Sequence, residues 1–174
     1  MQDITSRAQN IKLVIFDVDG VLTDGSLFLG DDGQEYKAFN SQDGHGMVML
    51  QQQGIKIGII TGRSSEVVKK RMKSLGIEHV YQGKREKLPA YEELKAELGL
   101  EDQQIAYVGD DVVDLPVMTR VGLAIAVNNA HAFTCQHAHW TTSANGGQGA
   151  AREVCEMIMA AQGKLQSALE HYLS

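Results

Sequence analysis

The chain has 174 residues and a mass of 19.0 kDa, which fits one domain spanning residues 1–174. At this size a fold buries roughly 70% of its unfolded surface and needs neither disulfides nor a structural metal. With 43% hydrophobic and 22% charged residues, only two prolines and a formal charge of −6, extensive disorder, nucleic-acid binding and an anionic membrane surface are all disfavoured. Two cysteines, Cys135 and Cys155, make no disulfide framework, the first ten residues lack a signal-peptide core, and no apolar run approaches ~18 residues. The expectation is a cytoplasmic protein.

Strand and helix patterns alternate from Ile11 onward. Residues 11–16, Ile-Lys-Leu-Val-Ile-Phe, form a nearly continuous apolar run, as expected of a strand covered on both faces. A β-hairpin is expected at 26–39, with Asp31-Asp32-Gly33 as its turn, where a crossover helix was due. Further on, helical spacing over 44–53, 65–75, 84–98 and 112–120 alternates with strand-like runs at 55–60, 79–81, 105–108 and 123–127. Pro89 suits a first helical turn. Asn145-Gly146-Gly147-Gln148-Gly149 reads as a flexible break before a C-terminal helix spanning 149–172, whose apolar stripe implies core or subunit contact. This alternation predicts an α/β fold, a doubly wound, Rossmann-like parallel sheet with helices on both faces.

In such sheets ligands bind at the carboxyl ends of the strands. Asp17-Val18-Asp19-Gly20 follows the first strand, Thr61-Gly62-Arg63 the second, and Gly109-Asp110-Asp111-Val112-Val113-Asp114 a later one, while Lys87 opens a helix between them. Without Asp17, Asp19, Asp110, Asp111 and Asp114 the formal charge would drop from −6 to −1, so the chain's acidity is concentrated on this edge. Clustered carboxylates repel unless a cation sits among them. Oxygen ligands suit a hard ion, and Mg²⁺ needs only one or two carboxylates with water and phosphate. A phosphate dianion beside Asp17, Asp19 and Asp110 would bring about −5 of charge, so a protonated Asp19 would help, and that is the state a general acid requires.

These four short motifs, in this order, resemble the haloacid dehalogenase superfamily of phosphatases. Phe16 to Gly25, Asp43-Gly44-His45-Gly46 and Gly146-Gly147-Gln148-Gly149-Ala150-Ala151-Arg152-Glu153 are similar to the branch that hydrolyses 3-deoxy-D-manno-octulosonate 8-phosphate in lipopolysaccharide precursor synthesis. The resemblance implies a double displacement. Asp17 attacks phosphorus, and Asp19 protonates the leaving sugar oxygen and then activates water. It also puts Mg²⁺ on the Asp17 carboxylate, the Asp19 backbone carbonyl and Asp110. Thr61, Gly62, Arg63 and Lys87 fall to phosphate and substrate, and Asp111 and Asp114 to supporting positions behind them. The short hairpin stands where relatives carry a cap domain, so the resemblance implies a homotetramer in which a neighbour covers each site.

Other readings stay open on the sequence. Arg63 favours the eight-carbon sugar acid over a nine-carbon, sialic-acid-like 9-phosphate only by resemblance. A phosphoacceptor signalling switch also clusters Asp around Mg²⁺, but Asp19 would hasten loss of its phosphate. Thr61-Gly62 also suits a helix cap. Cys135, His137 and His139 alternate as a strand would, without the spacing of a zinc site. His45 reads as a loop histidine, and Arg152 and Glu153 as a helix face or a contact near the site.

Overall fold

Leu13 and Ile15 point to one side of the first strand, Val14 and Phe16 to the other, and all four are fully buried. A strand covered on both faces must lie inside a sheet flanked by two layers. The computed structural model describes residues 3–174 and places this strand, β1 (Leu13–Phe16), at the centre of that arrangement. Helix α1 (Ile4–Gln9) precedes it, and β2 (Phe28–Leu29) and β3 (Glu35–Tyr36) form the hairpin after it. The chain continues through α2 (Ser41–Gln52), β4 (Lys56–Ile60), α3 (Glu66–Ser74), β5 (His79–Tyr81), α4 (Lys87–Leu98) and β6 (Ile105–Gly109). It ends with α5 (Leu115–Met118), β7 (Leu123–Ala126), α6 (Ala132–Gln136), β8 (Trp140–Thr141), α7 (Ala150–Ala161) and α8 (Leu165–Glu170).

The main sheet is parallel throughout, in the order β5-β4-β1-β6-β7-β8. From β1 the chain builds outward through β4 and β5, then returns to β1's other side with β6. That reversal opens a crevice at the carboxyl ends of β1, β4 and β6. Register brings those ends level, since Phe16 pairs with Ile59 on one side and Val108 on the other. Residues of α1, α2, α3 and α7 pack on one face of the sheet and those of α4 and α5 on the other. Gly58 in β4 has no side chain because Leu94 of α4 fills the space, 2.8 Å from where a Cβ would stand.

Several expectations shift at their edges. The helix expected over 112–120 is a single 3₁₀ turn at Val112–Asp114 followed by the short α5, with Pro116 in its first turn. Gly163, at φ +68°, breaks the expected tail helix between α7 and α8. Cys135 lies in α6 and His137 caps its end, so the alternating trio does not share a strand face. The glycines at 146 and 147 provide close approach rather than slack. Gly147 N–H donates to the Val21 carbonyl at 2.8 Å, and a Cβ on Gly146 would overlap the Gly20 carbonyl.

Candidate active site

Asp17, Asp19, Thr61, Gly62, Arg63, Lys87, Asp110 and Asp111 all line one cavity of about 810 Å³, and Asp114 lies buried behind Lys87. Asp17 follows β1 directly, and its side chain is held from two directions. Oδ1 accepts from the Val18 N–H at 2.7 Å, and Oδ2 lies 2.9 Å from the Lys87 ammonium. Gly20 turns the chain back at φ +86°, a conformation open to glycine at little cost. Its missing side chain also makes room for the Asp110 carboxylate, which a Cβ there would overlap. Thr23, itself buried, accepts from the N–H groups of Gly20 and Gly25 and closes the loop.

Lys87 opens α4 and is only 2% exposed. Its ammonium spans Asp17 at 2.9 Å and Asp114 at 2.6 Å. Burial alone would lower the Lys87 pKa, but the two carboxylates outweigh it and raise it. Asp114 is fully buried with its hydrogen-bonding capacity occupied. Oδ1 accepts from Lys87 and the Tyr107 hydroxyl (2.7 Å), while Oδ2 accepts from the Asp110 and Asp111 N–H groups at 3.0 and 3.2 Å. Gly109 lets it approach, since a Cβ there would stand 2.6 Å from that of Asp114. Asp111 is exposed and caps the 3₁₀ turn by accepting from the Val112 N–H.

Oxygens of Asp17, Asp110 and Asp114 fall within 4.8 Å of one another. Burial, then the Asp114 charge, pushes Asp17 up to about 6 against the pull of Lys87. Burial and the charges of Asp114, Asp17 and Asp111 push Asp110 up to about 8. Carboxylates raised in this way are short of positive charge, and their donors are all hard oxygens. A divalent, oxygen-seeking cation fits, and Mg²⁺ in particular. Since Asp114 is already satisfied, Asp17 and Asp110 are the side chains free to hold it.

Thr61 is buried at the end of β4, its N–H donating to the Tyr81 carbonyl and its carbonyl accepting from the Lys84 N–H. Gly62 follows at the cavity edge, and Arg63, whose side chain is 45% exposed, pairs with Glu35 at 3.1 Å. Sequence reasoning missed four residues here. Ser64 and Arg85 line the cavity, and Glu35 and Lys37 reach its mouth from the hairpin, Lys37 binding Asp19 at 2.5 Å. Period-two alternation carried a signal for the last pair, because Glu35 and Lys37 fall on one face of the arm and the exposed Tyr36 on the other.

A doubly wound sheet whose first strand ends in Asp-x-Asp-Gly, with a buried lysine and a second acidic strand end facing it, defines a class of hydrolase. The family model for haloacid dehalogenase-like hydrolases matches residues 35–122, and the chain belongs to that family. At finer grain it is 49% identical to the 3-deoxy-D-manno-octulosonate 8-phosphate phosphatase of Yersinia pestis over 95% of this chain and 89% of that one. Its fold matches that of a probable YrbI-family phosphatase from Pseudomonas syringae pv. phaseolica 1448a, with TM-score 0.98 and 53% identity over 100% and 99% of the two chains. It also matches the Moraxella catarrhalis 3-deoxy-D-manno-octulosonate 8-phosphate phosphatase in complex with magnesium, phosphate and KDO, with TM-score 0.96 and 43% identity over 99% of each chain.

Proposed function

We propose that the chain is a Mg²⁺-dependent phosphomonoesterase that hydrolyses 3-deoxy-D-manno-octulosonate 8-phosphate to the free sugar acid and phosphate, in lipopolysaccharide precursor synthesis. The observation that carries it is the buried Lys87 shared by Asp17 and Asp114, with Asp110 alongside, against a cavity large enough for a sugar phosphate. Relatives named for this activity, at 46–49% identity over 95% of the chain, support the choice of sugar.

In this reading Asp17 attacks phosphorus in line, and Lys87 offsets the charge of nucleophile and phosphate together. Asp19 gives a proton to the departing sugar oxygen, then takes one from the water that hydrolyses the aspartyl phosphate. Thr61, at the end of β4, hydrogen-bonds a phosphoryl oxygen. When bound on Asp17, Asp110 and the Asp19 backbone carbonyl, Mg²⁺ supplies charge neutralisation for the transferring phosphoryl group. Asp114 fixes Lys87 and, with Asp111, the backbone that carries Asp110. Gly62 and Arg63 meet the substrate at the rim, where a guanidinium suits a sugar acid's carboxylate.

Among the described residues no helix is long and apolar enough to cross a membrane. A cytoplasmic homotetramer, without nucleic-acid or membrane partners, completes the proposal. The deciding experiment measures phosphate release from a panel of sugar phosphates with and without Mg²⁺. The eight-carbon sugar-acid ester should give the highest kcat/KM, and a higher value for a nine-carbon 9-phosphate would displace it.

A further inference from the structure

Lys37 leaves the hairpin and turns inward. Its side chain is 1% exposed, and its ammonium donates to Asp19 Oδ1 at 2.5 Å and to Glu35 Oε1 at 3.0 Å. Glu35 in turn accepts from Arg63 Nε at 3.2 Å. Four charged side chains therefore run across the cavity mouth in the order Asp19, Lys37, Glu35, Arg63. A buried ammonium persists only where partners compensate it, and these two carboxylates do so. Oδ2 of Asp19 makes no hydrogen bond among the described residues, and Asp19 lines the cavity.

We propose that Lys37 is a positioning residue for the acid–base carboxylate, fixing Oδ1 of Asp19 so that Oδ2 alone exchanges protons with leaving group and water. The inference rests on the role assigned to Asp19 above. One geometry serves both half-reactions. With its proton on Oδ2, Asp19 is a carboxylic acid whose carbonyl oxygen, Oδ1, still accepts from Lys37. As the Asp17–phosphorus bond forms and the ester P–O bond breaks, the Oδ2 proton passes to the sugar oxygen. Water then attacks phosphorus, its proton goes to Oδ2, and the Asp17–phosphorus bond breaks. Lys37 takes no part in the proton transfer, and Glu35 keeps it from swinging toward the phosphate. The hairpin thus contributes to the chemistry of its own subunit.

The test compares a sugar or alkyl phosphate, whose leaving group needs a proton, with 2,4-dinitrophenyl phosphate, whose leaving group needs none. The proteins are the Mg²⁺-loaded full chain and its Lys37→Met, Lys37→Arg and Glu35→Gln variants, with Asp19→Asn as the reference. For Lys37→Met, kcat on the alkyl ester should fall by about 10²-fold, the scale of a misplaced catalytic group, with KM within roughly twofold. The burst of dinitrophenol should keep its rate, followed by slow turnover and an accumulated aspartyl phosphate, because only the second half then needs Asp19. Lys37→Arg should recover part of the loss, and Glu35→Gln should show the same pattern more weakly with Lys37 intact. A Lys37→Met protein with raised KM and normal kcat would make Lys37 a substrate ligand and overturn the proposal. Equal loss of both burst and alkyl-ester rates would overturn it as a general structural defect. If Asp19→Asn itself lacked the leaving-group dependence, the role of Asp19 would fall first, and that of Lys37 with it.

Discussion

Asp17 must be buried enough to exclude water from its intermediate yet ionised enough to attack, and Lys87 reconciles these demands. Asp17→Asn keeps the shape and the Lys87 contact but leaves an amide that cannot attack phosphorus, so turnover should vanish while the circular dichroism spectrum stays unchanged. Wild-type-like rates from that variant would remove Asp17 from the reaction. The pKa shifts yield a second test. Asp17 and Asp110 are raised from 3.8 to about 6 and about 8. Between 3.8 and each raised value the metal-free folded state holds a proton that the unfolded state has lost. Stability is therefore fullest below the unfolded value and declines as pH rises through the folded ones. Melting of the metal-free protein should occur at falling temperature from about pH 4 to about pH 8, and Mg²⁺ should flatten the decline and bind more tightly as pH rises. A melting temperature that climbed across that window would contradict a buried, charge-starved cluster. At this scale Asp17, Asp19, Thr61, Lys87 and Asp110 were legible in the sequence because each sits at a strand end or helix start. Lys37 and Glu35 were legible only as sharing one face of the hairpin arm, since alternation does not say that this face turns toward the site.

The loop after β1 is shaped by a partner from the far end of the chain. Gly146 and Gly147 press on the Gly20 carbonyl and on Thr23, and Gly147 N–H binds the Val21 carbonyl. Asp43 in α2 accepts from the N–H groups of Gly149 and Arg152, so it caps the start of α7. Gly46 admits Arg152, and Gly44 admits Arg71. The segments 43–46 and 146–153 are thus two halves of one brace behind the nucleophile loop, a long-range relation that in the sequence was only a helix start and a flexible break before the tail helix; His45, expected in a loop, lies within α2. Gly146→Ala should displace that loop, and a misplacement of ~1 Å costs on the order of 10²-fold. The kcat for every phosphate ester should then fall together while far-UV circular dichroism is retained. Unchanged kcat would mean that the loop holds its place without the brace. Asp43→Ala should instead act on stability, by the ~0.5–2 kcal/mol typical of a lost helix cap, measured by denaturant melting. The sheet itself was the most legible element, because its buried strands are unbroken apolar runs. β8 and α1 were not, being short and lacking periodicity enough to register.

For the molecule as a whole, the unsettled surface is the hairpin. An isolated two-stranded ribbon is marginally stable in water. Here Lys37 and Glu35 pin its inner face to the site, while Leu27, Phe28, Leu29 and Tyr36 stand exposed, from 48% to 66%. Val112 and Val113 are exposed too, and Leu27 and Val113 sit on the cavity rim. Exposed apolar side chains beside the cavity call for a covering surface, and among the described residues the two-stranded hairpin is the only insertion between β1 and α2. A second copy of the chain is the covering we propose, closed by symmetry into a tetramer. Replacing Phe28 and Leu29 by serine removes the apolar tip but leaves Lys37 on Asp19, so the chemistry of each subunit should survive. The double variant should elute as smaller species in light scattering. It should lose turnover of the sugar-acid phosphate far more than that of an aryl phosphate, because only the larger substrate needs contacts from the neighbour. An intact chain that is monomeric at working concentration and fully active on the sugar phosphate would rule out the neighbour as cap.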